Sequence, residues 1–183
     1  MTGVVIGALV SVAVVVATGR WGAILTDDAD GTPGEAATAR RAAAHYDEAL
    51  QPLLADGGQV VAEGLKPGVS DVAEGAFDDE VLARMASGWV AALRDVAADV
   101  AALPAPVTLD HVAVRYERAL LAYVSAAEAL AAAVEVTGDE RAELVEAAAE
   151  LGRTADRLFD EAETAMDEHR NRVADPTDVR GTR

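Results

Sequence analysis

The chain has 183 residues, 51% of them hydrophobic but only 4% aromatic, which excludes wholesale disorder and points to a core of small and branched aliphatic side chains. Its 32 acidic residues against 15 basic ones give a net charge of −17, which excludes nucleic-acid binding and docking on an anionic bilayer surface as main functions, because both need neutralised phosphates. Cysteine is absent, and with it disulfides, thiol catalysis, cysteine-ligated zinc and lipid attachment through an N-terminal cysteine.

The first element is the apolar run of residues 1–25, MTGVVIGALVSVAVVVATGRWGAIL. From Met1 to Gly19 it carries no charged side chain, and every acidic residue of the chain lies after Leu25. The run does not alternate, so as a strand it would need cover on both faces, and nothing else in the chain reads as a strand. A cleavable export signal is the second reading, with Val15-Val16-Ala17 or Ala17-Thr18-Gly19 as cleavage sites, although a basic n-region is missing. An uncleaved anchor fits better. Gly3 to Gly19 as helix spans about 26 Å, and continuing through Trp21 to Leu25 reaches about 34 Å, enough for a hydrocarbon core of about 30 Å. Arg20 and Trp21 then sit at the interface. The expected location is the cell membrane, single-pass, with the remainder extracytoplasmic. Secretion after cleavage is the alternative, and Arg20 alone argues for the opposite orientation. Gly3, Gly7 and Ser11 recur every four residues, a small-residue face through which two membrane helices would pack as a homodimer.

Residues 26–34 (TDDADGTPG) have no apolar periodicity and read as a flexible linker of about 17 Å. Residues 35–174 then show helical spacing throughout. In the first helix Tyr46, Leu50, Leu53, Val60 or Val61 and Leu65 mark one face, Pro52 predicts a kink, and the glycines 57, 58, 64 and 68 with Pro67 predict a break, leaving residues 69–74 as a short extension. Asp78 and Asp79 cap a second helix that runs to Leu103, with Val81 or Leu82, Met85, Trp89, Leu93, Val96 and Val100 inward. The prolines at 104 and 106 stop it. Thr108 is the predicted cap of the third helix, with Val107 and Val112 as a hydrophobic staple, and its stripe runs from Leu109 through Val112, Tyr116, Leu120, Tyr123, Ala127 and Leu130 to Val134. Thr137 and Glu140 form a capping box for the fourth helix, whose stripe is Leu144, Leu151, Leu158, Ala162, Met166 and Val173. Residues 175–183 read as a disordered tail.

The expected fold is therefore all-α: an elongated antiparallel up-down four-helix bundle preceded by one N-terminal transmembrane (or signal-anchor) helix. Folding the second and third helices back on each other across residues 103–108 brings Trp89 near Tyr123. The layout is similar to that of small membrane-tethered helical bundles of bacteria, including extracytoplasmic sensor domains.

Chemistry is sparsely signalled. His45, His111 and His169 have neither the Glu-x-x-His spacing of di-iron bundles nor a partner histidine at four residues, so they read as surface or terminal groups. The acidic clusters at 78–80 and 139–140 coincide with helix starts, where they favour the macrodipole. No catalytic, cofactor or metal constellation is expected. The reading this supports is a non-enzymatic, membrane-tethered interaction or envelope-associated module with an unknown protein partner. The alternative is a small apolar ligand carrier with a slot lined by Trp89, Tyr116 and Tyr123, against which space-filling by the same rings is the plainer account.

Overall fold

The computed structural model describes residues 33–75 and 78–174. The proposed anchor, its Gly3, Gly7 and Ser11 face, most of the linker and the tail lie outside the described residues. Those described are all helical, with no strand among them. Helix α1 spans Pro33–Val60 and passes through a π-helical turn, Val61–Leu65, into α2, Lys66–Ala73. Helix α3 is Asp79–Ala102, α4 is Asp110–Ala133 and α5 is Asp139–Ala174. Proline opens α1 two residues earlier than the linker reading placed it, since a residue without an amide hydrogen suits a helix's first turn.

The break expected around the glycines is replaced by a continuous helical path, and the reason is packing. Pro67 has no N–H to return to the carbonyl four residues back, so the ladder widens ahead of it: the Lys66 amide donates to the Val61 carbonyl, five residues away. The extra residue in this turn brings Val61, Gly64, Leu65 and Gly68 onto the buried face. Gly64 and Gly68 then lie flat against the indole of Trp89 on α3. A Cβ built on Gly64 would stand 2.9 Å from Trp89 Cε2, and one on Gly68 would stand 2.6 Å from Cη2. Gly57 approaches more loosely, its Cβ position 3.2 Å from a Val96 methyl and 3.3 Å from one of Leu120. What reads as poor helix material is thus the surface that lets α1 and α2 close on α3.

Cross-helix pairs fix the directions. Gly57 meets Val96 while Gly64 meets Trp89, so α1 and α3 run antiparallel. Asp47 pairs with Arg170 and Lys66 with Asp156, which makes the α1–α2 path and α5 antiparallel as well. The core divides into two clusters along the bundle. One holds Leu65, Leu93, Tyr123, Leu130 and Ala155, with Trp89 packed against it; the other holds Tyr46, Leu50, Tyr116, Leu120 and Met166. Trp89 and Tyr123 share the first cluster, as the register across residues 103–108 requires. A fully buried leucine such as Leu50 or Leu93 contributes about 2 kcal/mol by leaving water.

Two helix starts, those of α4 and α5, and parts of the α3 and α5 stripes differ from expectation. Asp78 caps α3 by accepting from the amides of Glu80 and Val81, as its position implies. Ahead of α4, however, residues 107–109 form a 3₁₀ turn in which the Leu109 amide donates to the Pro106 carbonyl. Leu109 is drawn into the core, Val107 is left 83% exposed, and neither the Thr108 cap nor the Val107 staple forms. Helix α5 starts after Gly138, whose φ of +66° suits glycine and whose carbonyl accepts from Ala142, one residue beyond the expected Thr137 cap. On α5 the fully buried line is Ala148, Ala155 and Ala162, while Leu144, Leu151 and Leu158 flank it half-buried. Alanines on both sides, including Ala119, Ala127 and Ala133 on α4, let these two helices approach closely. On α3, Ala86 and Leu82 take the buried positions, and Val81 and Met85 stay 41% and 37% exposed.

Candidate functional site

Along the seam between the α1–α2 path and α5 the helices part, and a cleft of about 240 Å³ opens to solvent. Leu65 and Val69 form one wall, Ala148 and Gly152 the other, and Tyr123 and Ala126 of α4 form the floor. The π turn creates the first wall, because it rotates Leu65 inward at the point where α2 begins. At the rim stand Lys66, Arg153 and Asp156.

These polar groups are linked. The Tyr123 hydroxyl donates to Asp156 Oδ1, and Lys66 Nζ lies 2.8 Å from the same oxygen. Arg153 reaches back along its own helix, donating from Nε and Nη2 to Glu150 Oε2 at 3.1 and 2.6 Å. Burial first, then the hydrogen bond and negative charge of Asp156, push the Tyr123 phenol well above its ordinary value. Tyr123 is therefore a fixed donor at neutral pH. Gly152 adds space, since a Cβ built there would meet no atom within 4 Å.

Of the three rings expected to line one slot, Trp89 and Tyr123 share a core cluster, but only Tyr123 lines the cleft. Tyr123 lies on the cleft floor. Trp89 is spent on Gly64 and Gly68. Tyr116 belongs to the other core cluster, where it meets Phe159 edge to face with ring centroids 5.2 Å apart. What sequence reasoning passed over is the small-residue wall of α5 and the role of Lys66, the chain's single lysine. The available signal was Gly152, a helix breaker inside an otherwise strong helical pattern.

No family model, curated protein or solved structure matches the chain.

A second polar group lies at the far end of the same seam. Arg170 clasps Asp47 through two parallel bonds, Nε to Oδ2 at 3.0 Å and Nη2 to Oδ1 at 2.6 Å. Nearby, Tyr46 Oη and His169 Nε2 are buried with no hydrogen-bond partner among the described residues; desolvation pushes the phenol up and the imidazole down. His45 and His111 are exposed. The Arg170 hydrogen bond holds Asp47 below its usual value of 3.8. A carboxyl with a lowered folded pKa stabilises the fold above its unfolded pKa, and that contribution fades as pH falls through the folded one. Urea titrations are thus expected to show stability declining below about pH 4. Asp47→Asn should lose up to about 1 kcal/mol at pH 7, because the pair is partly solvated, and should flatten the acid limb. An unchanged acid limb in Asp47→Asn would assign the decline to other carboxylates.

Proposed function

We propose that the chain is a membrane-tethered helical-bundle module that acts by binding rather than by bond chemistry, held outside the cytoplasm by residues 1–25. The observation that carries this reading is the partition of charge: none from Met1 to Gly19, and all 32 acidic residues after Leu25. No helix among the described residues is long and apolar enough to cross a membrane, so the tether in this reading rests on the N-terminal run alone. The bundle supports it in a second way. Its apolar stripes are buried against one another within residues 33–174, with no charged side chain fully buried among the described residues. In this reading the N-terminal run is assigned to the lipid rather than to that core. About 18 net negative charges follow Leu25, 32 acidic less 14 basic, which repel anionic head groups and hold the bundle clear of the bilayer surface. The finer geometry proposed is one membrane helix, a short spacer and an elongated bundle.

Fractionation with protease accessibility tests this. The full chain is expected in the membrane pellet after high-salt washing, and deletion of residues 1–25 should release it. Protease should reach the bundle on spheroplasts and not in inverted vesicles. Recovery from the cytosolic fraction would overturn the tether, and recovery from the medium with a new N-terminus near Ala17 or Gly19 would replace it with secretion.

A further inference from the structure

We infer that the cleft between α2, α4 and α5 binds a small amphipathic acid: a compact apolar body carrying one carboxylate. This goes beyond the tethering reading and does not depend on it. Size sets the first limit. At about 240 Å³ the cleft is smaller than the sites that hold drug-sized ligands, so the ligand is a short one. The walls set its body. Leu65, Val69, Ala126 and Ala148 offer only hydrocarbon, and Tyr123 offers a ring whose hydroxyl is already committed to Asp156.

The rim sets its head group. In a chain with more than two acidic residues for each basic one, the cleft is lined by two cations, Lys66 and Arg153, and a single carboxylate, Asp156. That carboxylate is offset by Lys66 and by the Tyr123 hydroxyl. Lys66 carries three donors and directs one at Asp156, while Arg153 holds Glu150 through Nε and Nη2 and keeps Nη1 outside that pair. An incoming carboxylate would meet the unused donors of Lys66 and Arg153 Nη1, whereas an ammonium group would find only the carboxylates of Asp156 and Glu150, which already accept from Lys66, Tyr123 and Arg153.

Gly152 supplies the independent observation. Glycine inside a helix is unfavourable relative to alanine, and exposed Gly58 and Gly88 have no packing that requires it, so what sets a glycine apart is a half-buried position. At Gly64 and Gly68 packing does require it, since a side chain would collide with Trp89. At Gly152, half-buried on the cleft wall, a methyl would touch nothing. The room kept there is room in the cleft.

Octanoate, octanol and octylammonium share a tail and differ in head group. Each would be titrated into the isotope-labelled full chain while amide shifts are followed. Octanoate is expected to give saturable shifts confined to residues 65–69, 123–126 and 148–156. Octanol and octylammonium should bind at least about tenfold more weakly, the worth of one charge-assisted hydrogen bond. Lys66→Gln should weaken octanoate about tenfold and leave octanol unchanged. Gly152→Leu fills the cleft and should abolish octanoate binding while keeping the wild-type circular dichroism spectrum. Any of three results overturns the inference: no saturable shifts with octanoate, equal or tighter binding of octanol or octylammonium, or octanoate binding that survives in folded Gly152→Leu.

Discussion

Gly64→Ala is expected to destabilise the bundle by about 2 kcal/mol, although alanine is the better helix former. Two effects oppose each other. Replacing a helical glycine by alanine gains up to about 1 kcal/mol in backbone entropy. Against that, the new methyl would sit 2.9 Å from Cε2 of the Trp89 indole, closer than Cβ atoms ordinarily come, and 3.0 Å from Cδ1. The ring has little freedom to retreat, because Gly68 holds its far edge and Leu130 lies behind Gly68. Either α1 shifts from α3 or the indole leaves its rotamer, and overpacking of this kind costs about 1–3 kcal/mol, occasionally more. Gly58→Ala is the internal control. It lies on the same continuous helical path, is exposed, and has nothing within 4 Å of its Cβ position, so it should stabilise by about 0.5–1 kcal/mol. Urea midpoints at constant m-value separate the two. Combining Gly64→Ala with Trp89→Leu should cost less than the sum of the single changes, because the shorter side chain vacates the space the methyl needs. Equal, favourable responses of Gly58→Ala and Gly64→Ala would remove the glycine–indole contact from the account.

That contact also marks where sequence reading stops being enough. The stripe on α4 is periodic and uninterrupted, and its buried residues from Leu109 to Leu130 fall where a 3.6-residue repeat places them. The α3 cap at Asp78 is equally local, a carboxylate two and three residues before the amides it accepts from. Gly64 and Gly68 carry the opposite message in isolation, since glycine and a following proline argue for a break. Only the partner on α3 turns them into a contact surface, and Trp89 lies more than twenty residues away in sequence. On α5, Ala162 and Met166 are buried as the stripe predicts, but Ala148 and Ala155 replace Leu144, Leu151 and Leu158 as the buried residues for a related reason. Periodicity ranks leucine above alanine as a core residue, whereas the close approach of α4 and α5 selects alanine at the seam and leaves the leucines at its edges. The cleft was half legible. Tyr123 was recognisable as an inward tyrosine with an uncommitted hydroxyl, but its partners Asp156 and Lys66 come from two other helices, and neither belongs to any local motif.

Ala155→Leu is expected to cost about 3 kcal/mol, the upper part of the usual overpacking range, whereas Gly152→Ala, one turn earlier, should gain up to about 1 kcal/mol. Both changes enlarge a small side chain on α5, and their surroundings decide the sign. Ala155 is fully buried, in the same cluster as Ala127 and Tyr123 of α4. Three more carbons there have no void to enter, so they must separate the two helices that share the alanine seam. The loss would appear in thermal melts as well as in urea, and Ala162→Leu, at a fully buried position one heptad later and away from the cleft, should behave alike. Gly152 faces the cleft, where a methyl meets no neighbour, so only the gain in helix propensity remains. If both positions tolerated enlargement, the α4–α5 seam would be looser than its alanines imply. If Gly152→Ala were destabilising, the cleft would be closed in solution by side chains that leave no room at this wall. The opposed signs, three residues apart, are what a tight seam beside an open cleft requires.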